Sequence, residues 1–364
     1  MSRIFNARFE ALLRRAPYGV PQIEKESSLL EGLNDLTEAH RAGCPEYGRI
    51  LDGLWSGRVL SKDIAAVPYL PVSIFKSRRL MSVSESDVRM TLTSSGTTGQ
   101  AVSRIFIDSE TSSRQQKALA NSLGHILGLK RLPMLVIDSK AVFQDPKLMS
   151  ARGAGVLGIM RYGREHAFAL GTDLKPDLNA VIQFLATYGG RPFFMFGFTF
   201  MVWLEFYEKL KGAGLDLSNG ILVHSGGWKK MIDRSVTPSD FRAAFARDFR
   251  LKRIVNFYGM VEQIGTLFLE GPDGLLYPPN FADVVVRNPA TWEPCGLSEI
   301  GVVQVLSLLP SSYPGHSLLT EDLGCIEAID AGVGGYMGKG LRLLGRVAKA
   351  ELRGCSDVIG SQSA

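Results

Sequence analysis

Between residues 88 and 258, short apolar runs alternate with helix-patterned stretches, and that alternation limits the fold more than any other feature of the chain. RMTLT (89–93), VSRIFID (102–108), MLVID (134–138), FFMF (193–196), ILVHS (221–225) and RIVNFYG (253–259) read as strands. SRQQKALANSLGHILGL (113–129), DLNAVIQFLATYG (177–189), FMVWLEFYEKLKGAG (200–214) and SDFRAAFARDF (239–249) read as helices between them. Strands separated by helix-length connections predict an α/β fold with substantial parallel pairing. After residue 265 the helical patterns stop. TLFLE, ADVVVRN, GVVQVLSLL, GCIEAI and LRLLGRV predict a β-rich subdomain instead. Upstream, SSLLEGLNDLTEAHRAG (27–43) has a Ser cap, apolar periodicity and a closing Gly43, so residues 1–60 read as helical. Pro68 and Pro71 in VPYLPVSIFKSRRL (67–80) favour an extended segment. The expected organisation is a helical segment over 1–60, an α/β core over 61–264, a β-rich subdomain over 265–346 and a short tail over 347–364.

Several functional classes are excluded early. Lys and Arg number 41 against 36 Asp and Glu, a net charge of +5 that is thin over 364 residues and forms no basic run, so no nucleic-acid partner is expected. Cys44, Cys295, Cys325 and Cys355 lie far apart with no C-x-x-C pair, which argues against a disulfide framework or structural zinc. The N-terminus lacks the apolar core of a signal peptide, and the most apolar tract, PFFMFGFTFMVWLEF (192–206), is too short to span a bilayer. A cytoplasmic protein without a transmembrane segment is expected. The aromatic tract reads as core.

Five short motifs can carry chemistry. Thr93 to Gly99 (TSSGTTG) combines hydroxyls with two glycines that admit close backbone approach, the composition of a phosphate cradle and equally of a plain hairpin turn. It lacks the spacing and lysine of a Walker A loop. YGMVEQ (258–263) follows a strand, so Glu262 stands where α/β sheets place ligand chemistry and can hold Mg²⁺, while Tyr258 can stack on a base. HSGGW (224–228) offers paired glycines to a flat heterocycle, with His224 either a base or a core histidine. Asp322, in Thr320-Glu321-Asp322, can bridge two sugar hydroxyls, and Arg346, in Gly345-Arg346 with Lys349 nearby, can reach phosphate or ribose oxygens. Cys355 sits between Gly354 and Ser356, beside Arg353, and a neighbouring cation favours the thiolate.

The order of these motifs resembles that of the adenylate-forming superfamily of acyl-CoA synthetases and related ligases. YLPVSIFK (69–76), SSGTTG (94–99), HSGGWKK (224–230), YGMVEQ and GRVAKAELRGCS (345–356) together resemble the LuxE-type acyl-protein synthetases, over roughly residues 60 to 357. The resemblance implies an adenylate-forming large domain with a β-rich C-terminal subdomain. It implies ATP and Mg²⁺, with Ser94, Ser95, Gly96, Thr97, Thr98 and Gly99 on the β- and γ-phosphates. Ser225, Gly226, Gly227, Tyr258 and Gly259 would frame adenine, Glu262 would hold the metal, Asp322 the ribose, and Arg346 the ribose and phosphate side. Only 18 residues follow Arg346 and Ala348 stands where an Asp is usual, so the full C-terminal lid domain of longer ligases is not expected. LuxE-type proteins carry an acyl-accepting cysteine in that short ending, and Cys355 matches it.

The implied reaction activates a carboxylic acid, by resemblance a fatty acid, as its adenylate. The acyl group then passes to Cys355 and on to a partner such as an acyl reductase. The alternative is an adenylating ligase for an aromatic or other acid that delivers to CoA or a carrier protein. A non-catalytic nucleotide-binding subunit is a third reading, and the metal-placing acid Glu262 argues against it.

Overall fold

The computed structural model describes residues 3–57, 60–94, 102–143, 152–227 and 236–347, with the side chains of residues 3–6 left aside. The described chain falls into two compact units that are discontinuous in sequence: residues 3–57, 60–93, 102–125 and 259–347 form the first, and Ser94 with residues 126–143, 152–227 and 236–258 the second. Among the described residues, no helix is long and apolar enough to cross a membrane.

The first unit opens with helices α1 (Arg3–Leu13), α2 (Gln22–Gly43) and α3 (Pro45–Trp55). The second starts five residues before the expected Ser27 cap, directly after Pro21, because proline cannot continue a helix but is tolerated at its edge. The segment with two prolines forms β1 (Leu70–Pro71) and then turns into a short helix, α4 (Ile74–Ser77), instead of staying extended. β2 (Val88–Thr93) and β3 (Arg104–Asp108) pair antiparallel as a separate two-stranded sheet, and α5 (Ser109–Leu127) follows.

The second unit is a parallel sheet. Its strands are β4 (Leu132–Ser139), β5 (Gly163–Leu170), β6 (Phe193–Phe198), β7 (Gly220–Ser225) and β8 (Arg253–Tyr258), in the order β8-β7-β6-β4-β5. Helices α6 (Ala154–Met160), α7 (Leu178–Tyr188), α8 (Glu208–Leu210) and α9 (Pro238–Phe249) connect them, α8 continuing a π-helical turn over Met201–Tyr207. Thr237 caps α9 by accepting the Asp240 N–H at 3.1 Å, with Pro238 at the first helical position. The tract Phe193 to Phe198 is buried throughout, as its apolar sequence requires of a central strand. Gly197 is needed there: a Cβ would stand 2.8 Å from Val202 and 2.9 Å from Ile137. Trp203, Tyr207, Phe241, Phe245 and Phe249 stack beneath it.

The chain then returns to the first unit with β9 (Phe268–Glu270), β10 (Leu276–Tyr277), β11 (Ala282–Arg287), β12 (Gly301–Ser307), β13 (Ser317–Ile329) and β14 (Lys339–Arg346). These pair in the order β11-β12-β13-β14-β10-β9, antiparallel from β11 to β9. A buried charge network ties α2 to this sheet. Asp283 has no exposure and its carboxylate accepts from Gln22 Nε2 at 2.7 Å, from Lys339 Nζ at 3.2 Å and from the Val284 N–H at 2.8 Å. Lys25, 1% exposed, holds its Nζ 3.9 Å away. Burial pushes the Lys25 ammonium down; for Asp283 burial works upward, but the two lysines together with the bonds from Val284 and Gln22 outweigh it and hold the carboxyl below its usual range.

A second buried polar pair lies under the β12–β13 turn. His40 and His316 stack with ring centroids 5.0 Å apart. The His316 Nε2–H donates to Thr37 at 3.0 Å, since the Thr37 hydroxyl spends its own proton on the Leu33 carbonyl at 2.9 Å. His40 bonds Ser82 at 2.8 Å and the Pro310 carbonyl at 3.1 Å. Burial depresses both rings, His40 to about 4 and His316 well below its ordinary value. The folded chain therefore protonates them at lower pH than the unfolded chain does, near 6.5. Between those limits the unfolded state binds more protons, so stability should fall as pH drops from about 6.5 toward about 4, by about 3 kcal/mol for His40 alone. Urea midpoints at pH 7.5 and 5 measure this, and His40→Gln should flatten the slope; equal slopes would place the acid sensitivity elsewhere.

Candidate functional site

In the second unit, the predicted adenine-framing residues leave the carboxyl ends of neighbouring parallel strands. Ser225 ends β7 opposite Phe257 of β8, and Tyr258 follows one residue on. This is the sheet edge where open α/β folds bind ligands. Gly226 takes φ +92°, a conformation that requires glycine, and Gly227 has open space where a Cβ would be. His224 belongs to the core. It is 7% exposed, bonds Thr199 at 2.9 Å, stacks on Phe241 at 4.7 Å, and is pushed down to about 3 by burial. It is unsuited to act as a base at neutral pH.

In the first unit, Glu262 lies in a 3₁₀ turn over Val261–Gln263 just after Gly259. Three bonds fix this turn: Tyr313 Oη donates to the Glu262 carbonyl at 2.8 Å, and Gln263 Nε2 donates to the carbonyls of Gly315 at 2.8 Å and Val305 at 3.2 Å. The Glu262 side chain is 7% exposed. Burial raises its carboxyl above the usual range; the nearby Ser103 hydroxyl, its own backbone and the charge of Lys76 oppose that, and the charge of Glu321 adds to it. A buried carboxylate so placed gains from a cation.

Asp322 and Arg346 face each other across β13 and β14, in direct register. Arg346 Nε stands 3.4 Å from Asp322 Oδ1, and its Nη1 4.0 Å from Glu321 Oε2. The Asp322 N–H donates to Thr320 Oγ1 at 3.1 Å, and that hydroxyl donates to the Val303 carbonyl at 2.7 Å, which fixes the stretch of β13 that carries both acids, where its register with β12 shifts. Glu262, Asp322 and Arg346 thus share the first unit, whereas Ser225, Gly226, Gly227 and Tyr258 are in the second.

Ser94 follows directly on the last residue of β2. Ser95, Gly96, Thr97, Thr98, Gly99 and Cys355 lie outside the described residues. The other three cysteines are free thiols. Cys44 is buried. Cys325, 5% exposed and 3.9 Å from Glu327 Oε1, is raised by burial and by that carboxylate, and Cys295 is raised by burial and Glu299. Neither the Cys325 nor the Cys295 setting favours a thiolate.

The residues fit a nucleotide-bound Mg²⁺ better than a protein-only metal site. Among the described residues no group of three His, Cys, Asp or Glu gathers to hold an ion. A single buried carboxylate is what Mg²⁺ needs when phosphate oxygens and water complete its shell. Sequence reasoning missed Ser103, Lys76 and Glu321. Ser103 lies inside a strand-like run, and Lys76 within YLPVSIFK, which reads in sequence only as a family signature.

A model of the family described as "Acyl-protein synthetase, LuxE" matches residues 28–363. The long-chain-fatty-acid–luciferin-component ligase of Aliivibrio fischeri is 23% identical over 305 residues, covering 80% of this chain and 78% of the relative. Its counterpart from Vibrio harveyi is 23% identical over 327 residues, covering 85% and 82%. Among solved structures, an open conformation of 2-hydroxyisobutyryl-CoA ligase in complex with 2-HIB-AMP and CoA superposes with a TM-score of 0.66 at 16% identity, covering 91% of this chain and 77% of that one. That likeness shows the fold expected from the motif order. The chain belongs to the LuxE family of acyl-protein synthetases, and so to the acyl-adenylate-forming ligases.

Proposed function

We propose that this protein activates a long-chain fatty acid with ATP and passes the acyl group to its own Cys355, for delivery to an acyl-reductase partner. The observation that best supports this is Glu262: a buried carboxylate fixed through its backbone by Tyr313 and met by the Ser103 hydroxyl and the Lys76 charge. A protein that merely bound nucleotide would gain nothing from maintaining so costly a group. The names of the two relatives support the choice of fatty acid and of a luminescence-type reductase partner.

In the first step a carboxylate oxygen of the acid attacks the α-phosphorus of ATP. A new P–O bond forms, the bond from that phosphorus to the bridging oxygen breaks, and pyrophosphate leaves with the electron pair. The chain's work is positioning and charge balance. Asp322 would accept from the ribose hydroxyls, Arg346 would face the phosphate side, and Ser225 to Gly227 with Tyr258 and Gly259 would frame adenine. Ser94 to Gly99 would donate hydroxyl and amide hydrogens to the β- and γ-phosphates. Mg²⁺ at Glu262 would neutralise charge on the departing pyrophosphate. In the second step the Cys355 thiolate attacks the acyl carbon, the bond to the adenylate oxygen breaks, and AMP leaves. The acyl group stays as a thioester, activated for transfer.

Intact-mass spectrometry after incubation with ATP, Mg²⁺ and a panel of acids tests the reading. Wild type should gain one hydroxylamine-labile acyl mass, with long-chain acids preferred. Cys355→Ala should release pyrophosphate yet stay unlabelled. A labelled mutant would move the acceptor to another residue. AMP release only when CoA or a carrier protein is added, with no labelled wild type, would favour the alternative ligase.

A further inference from the structure

Two strands lie end to end along one edge of β13. β12 covers the opposite edge, pairing from Ser317 to Gly324. On this edge β14 covers Asp322 to Ile329, and β1 runs parallel beside Leu318 and Leu319. The join falls at Thr320 and Glu321: the Val72 N–H donates to the Leu319 carbonyl at 2.9 Å and the Val347 N–H to the Glu321 carbonyl at 3.0 Å. Each strand brings a cation to the join. Lys76, carried on α4 just after β1, places its Nζ 3.9 Å from Glu321 Oε1, and Arg346, the last residue of β14, places Nη1 4.0 Å from Oε2 of the same carboxylate. Both distances exceed hydrogen-bond range, so these contacts to Glu321 are charge pairs.

The backbone that carries Lys76 is anchored by packing. Its neighbour Phe75 is 1% exposed and meets the Tyr313 ring edge-on at 6.0 Å, and Tyr313 is the residue that holds the Glu262 carbonyl. One packed unit thus positions both the carboxylate and the cation. The Lys76 side chain is 20% exposed, enough for its ammonium to meet a ligand.

Building on the adenylation reading, we propose that Lys76 contacts the α-phosphate of the bound nucleotide, with Arg346 on its other side and Glu321 holding both cations apart until the phosphate arrives. An ammonium suits a phosphate oxygen as a point charge with three rotatable donors. It would bind the α-phosphate before the reaction and stabilise the charge that gathers there during it.

Calorimetric titration of AMP and of adenosine into the full-length protein tests this without turnover. Lys76→Met should weaken AMP by about tenfold to a hundredfold and leave adenosine unchanged, the loss expected for one charge-assisted contact. Lys76→Arg, which keeps the charge, should recover most of the AMP affinity. Parallel losses for both ligands, or an unchanged AMP affinity in a folded Lys76→Met protein, would reduce Lys76 to a structural tie for α4 and overturn the proposal. Wild type that binds neither ligand would overturn the adenylation reading, and this inference with it.

Discussion

Replacing Glu262 by Gln is expected to lower carboxylate-dependent pyrophosphate exchange by about two orders of magnitude or more, since a lost charge-stabilising contact of this kind costs roughly 10²–10³ in rate. The fold should survive. Glutamine has the same shape, and the bonds that fix the turn come from the Glu262 carbonyl and from Gln263, which the substitution leaves in place. Removing a buried carboxylate also removes its desolvation cost, so the melting temperature should hold or rise. A rise in stability with a collapse in exchange separates a functional acid from a structural one. Unchanged exchange in a folded Glu262→Gln protein would remove Glu262 from the metal site.

Asp283→Asn is expected to destabilise the protein by about 3–5 kcal/mol, the usual cost of leaving a buried charge without its partner. Asp283 is the shared acceptor for Gln22, Lys339 and the Val284 N–H, and Lys339 would be left in the interior with Glu26, 3.3 Å away, and the Val284 carbonyl, 3.2 Å away. Lys25→Met should be close to neutral or stabilising, because the Lys25 Nζ reaches Asp283 only at 3.9 Å and its stem already lies in a buried slot. Urea unfolding curves with unchanged slope measure both. A cost below about 1 kcal/mol for Asp283→Asn would show that the network does not depend on its central acid.

The elements most visible in the sequence are those whose apolar pattern is local. The runs ILVHS and RIVNFYG became β7 and β8, and the hydroxyl-capped SDFRAAFARDF became α9. β5 escaped notice because Arg164, Glu165 and His166 interrupt it: it borders the parallel sheet with one neighbour, and an edge strand need not be apolar on both faces. β10, two residues long, has no pattern to read. At the site, Glu262 and Asp322 were visible because each sits in a distinctive local motif. Ser103, Lys76 and Glu321 were not, since their importance lies in Ser103 nearing Glu262 and Lys76 pairing with Glu321, each across more than 150 residues of chain. The same holds for Lys25 and Asp283. A buried lysine on a polar-looking helix face reads as solvated until its partner is seen.

The end-to-end arrangement on β13 also decides where that sheet stops. An open edge offers free N–H and C=O groups to any other extended chain, and proteins that leave such edges long and flat aggregate. Here the exposed side of the join is closed by a strand of two residues, one of them Pro71, whose nitrogen has no hydrogen to donate. Three residues later the chain has already turned into a helix. β1 is therefore long enough to pair with β13 and leaves little open edge for a further strand, so the same short segment that delivers Lys76 to Glu321 also blunts this edge.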